Sequence, residues 1–266
     1  MKLMMKITFL SLILVTFIFS SISYSSDAIS DLISNEKTET IRSFFLSDSA
    51  KAHINDIYPG GETLIMFAAA NNPNSEVIHL LVSLGASVNS EDKLGLTPLI
   101  FAVTTNKNPG VTLALLQLNA NPESVDSEGV SVLMYAARDA EPTIIETLLS
   151  KNLNVNKPAK NGWTPIMFAA ANNTNTRVAE LLLEAGAEVN VTNSDGMSPL
   201  MIAAKYTKNP EIVELLLRHS ADTTIMIKGK MAIDFARNNP KLKGSSALRN
   251  LERTTNLRLS ESKRSN

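Results

Sequence analysis

The chain has 266 residues, a formal net charge of -1, 44% hydrophobic residues and 19% charged residues. This composition fits a globular chain of one large or two small domains and excludes a disordered one. The absence of cysteine excludes a disulfide framework, thiolate metal sites, thiol catalysis and a lipid-modified N-terminal cysteine. His53, His79 and His219 lie too far apart in sequence to suggest a metal cluster.

In chain order, Lys2 and Lys6 open the sequence with positive charge, and Ile7 to Phe19 follow as an apolar run broken only by Thr8, Ser11 and Thr16. Small residues come next, from Ser20 to Ser26. Charged, apolar and small segments in this order predict a secretory signal peptide over residues 1–23, cleaved after Ser23 or Ser25. The alternative is a retained membrane anchor. An apolar run of this length rises about 20 Å as a helix, against a hydrocarbon core of about 30 Å. Export is therefore expected, to the periplasm if the source is bacterial and otherwise by secretion. Residues 1–23 carry +2 and residues 241–266 carry +5, which leaves -8 for residues 24–240. An acidic body gives no reason to expect nucleic acid as a partner.

Residues 24–57 read as N-terminal capping helices, with Ile41, Phe44, Phe45 and Leu46 on the core side of a helix over 38–46. The chain then repeats itself. Gly61-Glu62-Thr63-Leu64-Ile65-Met66-Phe67-Ala68-Ala69 returns as Gly95-Leu96-Thr97-Pro98-Leu99-Ile100-Phe101-Ala102-Val103, and again from Gly129, Gly162 and Gly196. A weaker copy opens at Gly229, and successive glycines lie 33 or 34 residues apart. Such a period marks stacked supersecondary units. In each copy a glycine suits a turn with positive φ, Thr or Ser caps a helix, and Pro fits its first position. Paired alanines follow, then an Asn-rich break such as Asn71-Asn72-Pro73-Asn74, then a second helix such as Val178 to Leu183. Gly85-Ala86 and Gly186-Ala187 read as stops for second helices.

These motifs resemble the ankyrin repeat, whose fingerprint runs Gly-x-Thr-Pro-Leu-His, Ala-Ala, Leu-Leu, Gly-Ala. The resemblance implies an all-α solenoid of helix-turn-helix units joined by short hairpin-like turns, with five full repeats plus terminal caps. The repeats are placed at about 58–89, 92–123, 126–156, 159–190 and 193–224, with a capping repeat from 226 within a repeat region of 58–240. Residues 241–266 read as a capping helix and a basic, partly disordered tail. Two departures stand out. The family's histidine is replaced by Met66, Ile100, Met134, Met167 and Met201, so its hydrogen bonds are expected to give way to packing. The break between helices carries an extra, Asn- and Pro-rich residue in all full repeats but the third.

Chemistry has little support. No Ser/His/Asp order, phosphate-cradling loop or pair of carboxylates recurs, so no catalytic residue is assigned and the chain is not expected to be an enzyme. Asp92, Asp126, Glu128 and Asp195 are read as turn and solvation residues. The methionine column invites a Cu(I) reading. Helices packed at about 10 Å keep successive sulfurs too far apart to share an ion, so core packing is expected, with no metal and no cofactor. The aromatic column Phe67, Phe101, Tyr135 and Phe168 is likewise expected to fill the core.

Function on such a scaffold falls to positions the fold does not need. The resemblance places these on a concave strip, at the residue after each glycine and the two after Ala-Ala. The partner-binding candidates are Leu96, Val130, Trp163, Met197, Arg138 and Tyr206. They are expected to form an exposed apolar row with a polar rim. The competing expectation is that these side chains fold onto neighbouring turns and are only half exposed. The function read from the sequence is a non-catalytic, exported, monomeric scaffold that binds a protein partner on its concave face. Its alternative is an envelope-anchored structural protein held by an uncleaved N-terminus, in contact with membrane only in that case. A third reading gives the basic tail an acidic polymer or lipid to bind.

Overall fold

The computed structural model describes residues 26–46, 51–106 and 108–264. The expected signal segment and its cleavage sites lie outside them. Two N-terminal helices, α1 (Ser26–Asn35) and α2 (Thr38–Phe44), precede five helix pairs. The pairs are α3 (Leu64–Asn71) with α4 (Ser75–Ser83), α5 (Pro98–Thr105) with α6 (Pro109–Gln117), α7 (Val132–Asp139) with α8 (Pro142–Leu149), α9 (Pro165–Asn172) with α10 (Thr176–Glu184), and α11 (Pro199–Tyr206) with α12 (Glu211–Arg218). A short α13 (Ala232–Ala236) and a long α14 (Ser246–Arg264) follow. Strand geometry among the described residues is limited to two isolated bridges, Val125 with Ser131 and Ile227 with Lys230.

First helices stack on first helices, from α1 through α3, α5, α7, α9 and α11 to α13, and second helices form a parallel layer behind them. The alanines explain the close stacking. Ala68, Ala69, Ala136, Ala137, Ala169, Ala170, Ala203 and Ala204 are all buried, where a larger side chain would hold the neighbour away. The Leu-Leu positions close the layer from behind: Leu81, Leu115, Leu148, Leu182 and Leu216 are fully buried. The hairpin glycines are required by geometry. Gly162 has φ +76°, and a Cβ there would lie 2.9 Å from the Ser194 backbone nitrogen.

The Asn-rich breaks are inter-repeat clamps. Asn72 Nδ2 donates to Ile33 O (2.9 Å) and Glu36 O (3.0 Å), and its Oδ1 accepts from Asn74 N (2.9 Å). Asn106 holds Ala69 O and Asn72 O, Asn173 holds Ala137 O and Ala140 O, and Asn239 holds Ala204 O and Thr207 O. Each clamp ties orphan carbonyls at the end of one first helix to the next repeat. The second Asn of the break caps the second helix, as Asn74, Asn108 and Asn175 do for the N–H groups of Glu76, Gly110 and Arg177. The fifth repeat has Thr207 at the clamp position and is tied to the fourth at this break only by Asn209 Nδ2, which donates to Thr174 O (2.9 Å); the third has Ala140-Glu141-Pro142 and makes neither bond to the second. A cleft of about 430 Å³ lies there, lined by residues including Val103, Asn106, Thr112 and Ile144.

Two end assignments need correction. Leu46, expected on the core side of its helix, is 74% exposed, because α2 stops at Phe44 and leaves Leu46 beyond the buried Phe45. The C-terminal tail, expected to be partly disordered, is helical through Arg264. Buried Ala247, Leu251 and Thr255 seat α14 on the end of the stack, and Arg258 pairs with Asp222 at 3.2 Å. Burial pushes the Asp222 carboxyl upward, but hydrogen bonds from the Thr224 N–H and hydroxyl and the nearby Arg258 charge outweigh it and hold the group below its ordinary value.

Candidate functional site

The face formed by the hairpin tips and first helices carries the predicted row. Each residue after a glycine enters its hairpin by backbone: Asp92 N donates to Leu96 O, Asp126 N to Val130 O, Ala159 N to Trp163 O and Asn193 N to Met197 O. Asp92 Oδ1 also accepts from Leu94 N and Leu96 N, and Asp126 Oδ1 from Glu128 N and Val130 N. Those aspartates are turn residues, as read from the sequence.

The side chains of the row do not share one environment. Leu96, Val130 and Trp163 are half-buried. Met197, expected to be exposed, is 6% exposed and lies against the last repeat beside Ile227 and Phe235. The row is thus an apolar edge folded halfway onto its neighbours, with its last member removed from solvent. Trp163 packs edge-on against Phe168, with ring centroids 5.2 Å apart. Tyr206 is 46% exposed, and the Lys205 ammonium lies 4.7 Å from its ring centroid.

The aromatic column corrects a second expectation. Phe67, Phe101, Tyr135 and Phe168, assigned to the core, are each half-buried and packed against it. Phe235 continues the row, whereas Ile202 in the fifth repeat is fully buried. These rings lie beside the tips, as Tyr58 on Phe67 (4.9 Å between centroids) and Trp163 on Phe168 show. At the centre the Tyr135 hydroxyl donates to Asp126 Oδ2 at 2.6 Å. Burial, then this bond to a carboxylate, pushes the phenol well above its usual range, so it stays protonated. Arg138 stacks on the same ring at 5.2 Å and pairs with Asp139. Tyr135, Asp126, Arg138 and Asp139 therefore form one connected polar group beside Val130.

The sequence reading missed this aromatic floor and also Leu94, which is 61% exposed at a hairpin tip. Leu94 holds the slot occupied by Gly60, Glu128, Asn161 and Asp195 in the other repeats, and that contrast was the available signal.

The methionine column is buried, with Met134 and Met167 fully so. Among the described residues no group of three His, Cys, Asp or Glu side chains gathers as a metal site would require.

The family profile described as ankyrin repeats (3 copies) matches residues 28–126, 65–159, 106–193 and 133–227. The chain belongs to the ankyrin-repeat family. No curated protein matches it. Ankyrin repeats generally mediate protein–protein binding and are typically non-catalytic, and the helix pairs, tips and caps described above are a scaffold of that kind.

Against the ankyrin pattern, the missing histidine is partly replaced in kind. The Thr63 N–H donates to Met66 Sδ at 3.3 Å, and the Ser131 N–H to Met134 Sδ at 3.5 Å. Packing alone was expected at these positions, but a buried thioether is a weak acceptor and satisfies the N-cap N–H of its own helix. A further ankyrin link between repeats is carried by asparagine at the outer turn. Asn55, Asn89, Asn156 and Asn190 each donate to a carbonyl of the next repeat (Gly85, Asn119, Gly186 and Ser220) and accept from an N–H two residues further on.

Proposed function

We propose that this ankyrin stack is an exported, monomeric, non-catalytic scaffold that binds a protein partner on the face formed by its tips and first helices. The observation that carries the reading is the half-buried aromatic floor running from Phe67 to Phe168, with Trp163 seated on it. Half-exposed rings carried on packed first helices are preorganised, so docking on them orders few side chains. Leu96, Val130 and Trp163 supply the apolar edge, and Arg138 and Tyr206 supply the polar rim. Met197 supports the edge from beneath and is not expected to touch the partner. The acidic body argues against nucleic acid.

Export rests on the order of charged, apolar and small residues over 1–23. Among the described residues no helix is long and apolar enough to cross a membrane. The second reading, a structural protein anchored by an uncleaved N-terminus, rests on the same segment. Mass spectrometry of the native protein separates the two. The expected result is a mature chain beginning between Tyr24 and Asp27. Recovery of intact Met1 to Ser20 from the cytoplasm would overturn export, and its recovery from a membrane fraction would favour the anchor.

A further inference from the structure

Consecutive tips are joined by single backbone hydrogen bonds: Lys93 N to Gly60 O, Ser127 N to Leu94 O, Lys160 N to Glu128 O and Ser194 N to Asn161 O. The series stops at the last junction. No described residue makes the corresponding bond to Asp195 O. Gly196 shows the opening, because a Cβ added there would meet only Ile227, at 4.0 Å. A cleft of about 580 Å³ lies between the two tips, lined by Met197 and Phe235 and by Lys205, Lys228, Lys230 and Asp195.

The last tip has changed form as well. Ile227 and Lys230 exchange two backbone bonds of 2.9 Å, and Lys228 and Gly229 both have positive φ, +48° and +74°. This is the signature of a two-residue type I′ hairpin, whose first position favours Asn, Asp or Gly. A lysine there is held in the left-handed region against its own preference. Backbone strain of this kind persists only where the surrounding structure holds it, and it clusters at binding and catalytic sites. Lys205 reaches the same cleft from α11, its ammonium 5.9 Å from the Phe235 ring centroid. None of the three lysines pairs with a carboxylate among the described residues. Three ammonium groups against one carboxylate make this cleft a basic site on an otherwise acidic body.

We propose that this cleft binds an acidic, partly apolar segment of the partner protein. Carboxylates of the segment lie between Lys205, Lys228 and Lys230, and an adjoining apolar side chain covers the half-buried Ile227 and Phe235. The inference rests on the proposal that this face binds protein, and it adds the chemistry of one contact.

The probe is a fluorescent hexapeptide alternating Leu and Glu, with blocked ends, compared by anisotropy with its Leu/Gln counterpart. The Glu peptide is expected to bind about tenfold more tightly, with an advantage that shrinks as salt rises. Lys230→Gln with Lys205→Gln should weaken it about fivefold or more. Lys228→Gly is the sharper variant. It removes the charge and relieves the left-handed backbone, so affinity should fall while the melting temperature holds or rises. A lysine that served only the fold would not give that opposition. Equal binding of the two peptides, or unchanged affinity in Lys228→Gly, would overturn the proposal. Displacement of the peptide by millimolar inorganic phosphate at constant ionic strength would also overturn it, in favour of a phosphoryl ligand. Trp163→Ala should leave peptide affinity within about twofold, so failure of the cleft and failure of the wider interface are told apart.

Discussion

Trp163→Ala is expected to weaken binding of the native partner by about 2 kcal/mol or more, since tryptophan is enriched among the interface residues that dominate affinity once a partner covers them. The residue sits in the fourth repeat, so flanking repeats can exclude water around it. Its edge-on contact with Phe168 gives the substitution a folding cost too, about 1 kcal/mol from the lost ring pair. A titration calorimetry series with the partner, together with thermal melts, separates the two effects. Leu96→Ala should act in the same direction but less. Met197→Ala, at 6% exposure, should act on stability rather than on binding. A Trp163→Ala chain that melts almost normally and binds normally would remove the tip row from the interface and direct attention to the opposite face.

Asn72→Ala is expected to cost about 2–3 kcal/mol of stability, because a buried side chain with three hydrogen bonds is lost. The side chain is 2% exposed and serves two carbonyls and one N–H, and alanine leaves all three without their partner. Asn72→Asp is the informative control. It keeps the acceptor for Asn74 N but sets a carboxylate against Ile33 O and Glu36 O, so it should be at least as damaging as alanine. Denaturant melts of both variants decide the matter. If aspartate proved milder than alanine, the contribution of Asn72 would lie in its turn and not in the clamp.

The fold was legible because its determinants recur: a glycine needing positive φ, a cap, a small pair and a leucine pair, each returning in step. What recurs less was harder to read. Trp163 and Met197 occupy the same slot in sequence, yet one is half-buried and the other buried, because the last hairpin is a different turn and brings Ile227 and Phe235 over Met197. The aromatic column showed no polar partner in the sequence, so the core was the natural assignment. Only the stack shows that it borders the groove. The Asn-x-Asn breaks read as loops because their partners lie more than thirty residues earlier in the chain. The Met66 and Met134 contacts were invisible because sulfur is seldom counted as an acceptor. Lys228 stood out only once its φ was known.

The clamp that the third repeat lacks has a consequence for how the molecule comes apart. In a stack held by nearest-neighbour terms, the weakest junction sets where cooperativity divides. The second and third repeats meet without an asparagine bridge, with a cleft between their turns and the sparsest first-helix packing of any two consecutive full repeats. Opening should therefore proceed as two blocks, α1 to α6 and α7 to α14, each rigid within itself. Native-state hydrogen exchange would show two protection plateaus that change between Gln117 and Val132, and a single plateau would mean that apolar contact across the seam suffices. A partner lying along the groove would span that seam, and part of what it gains on binding would go into holding two separable blocks as one.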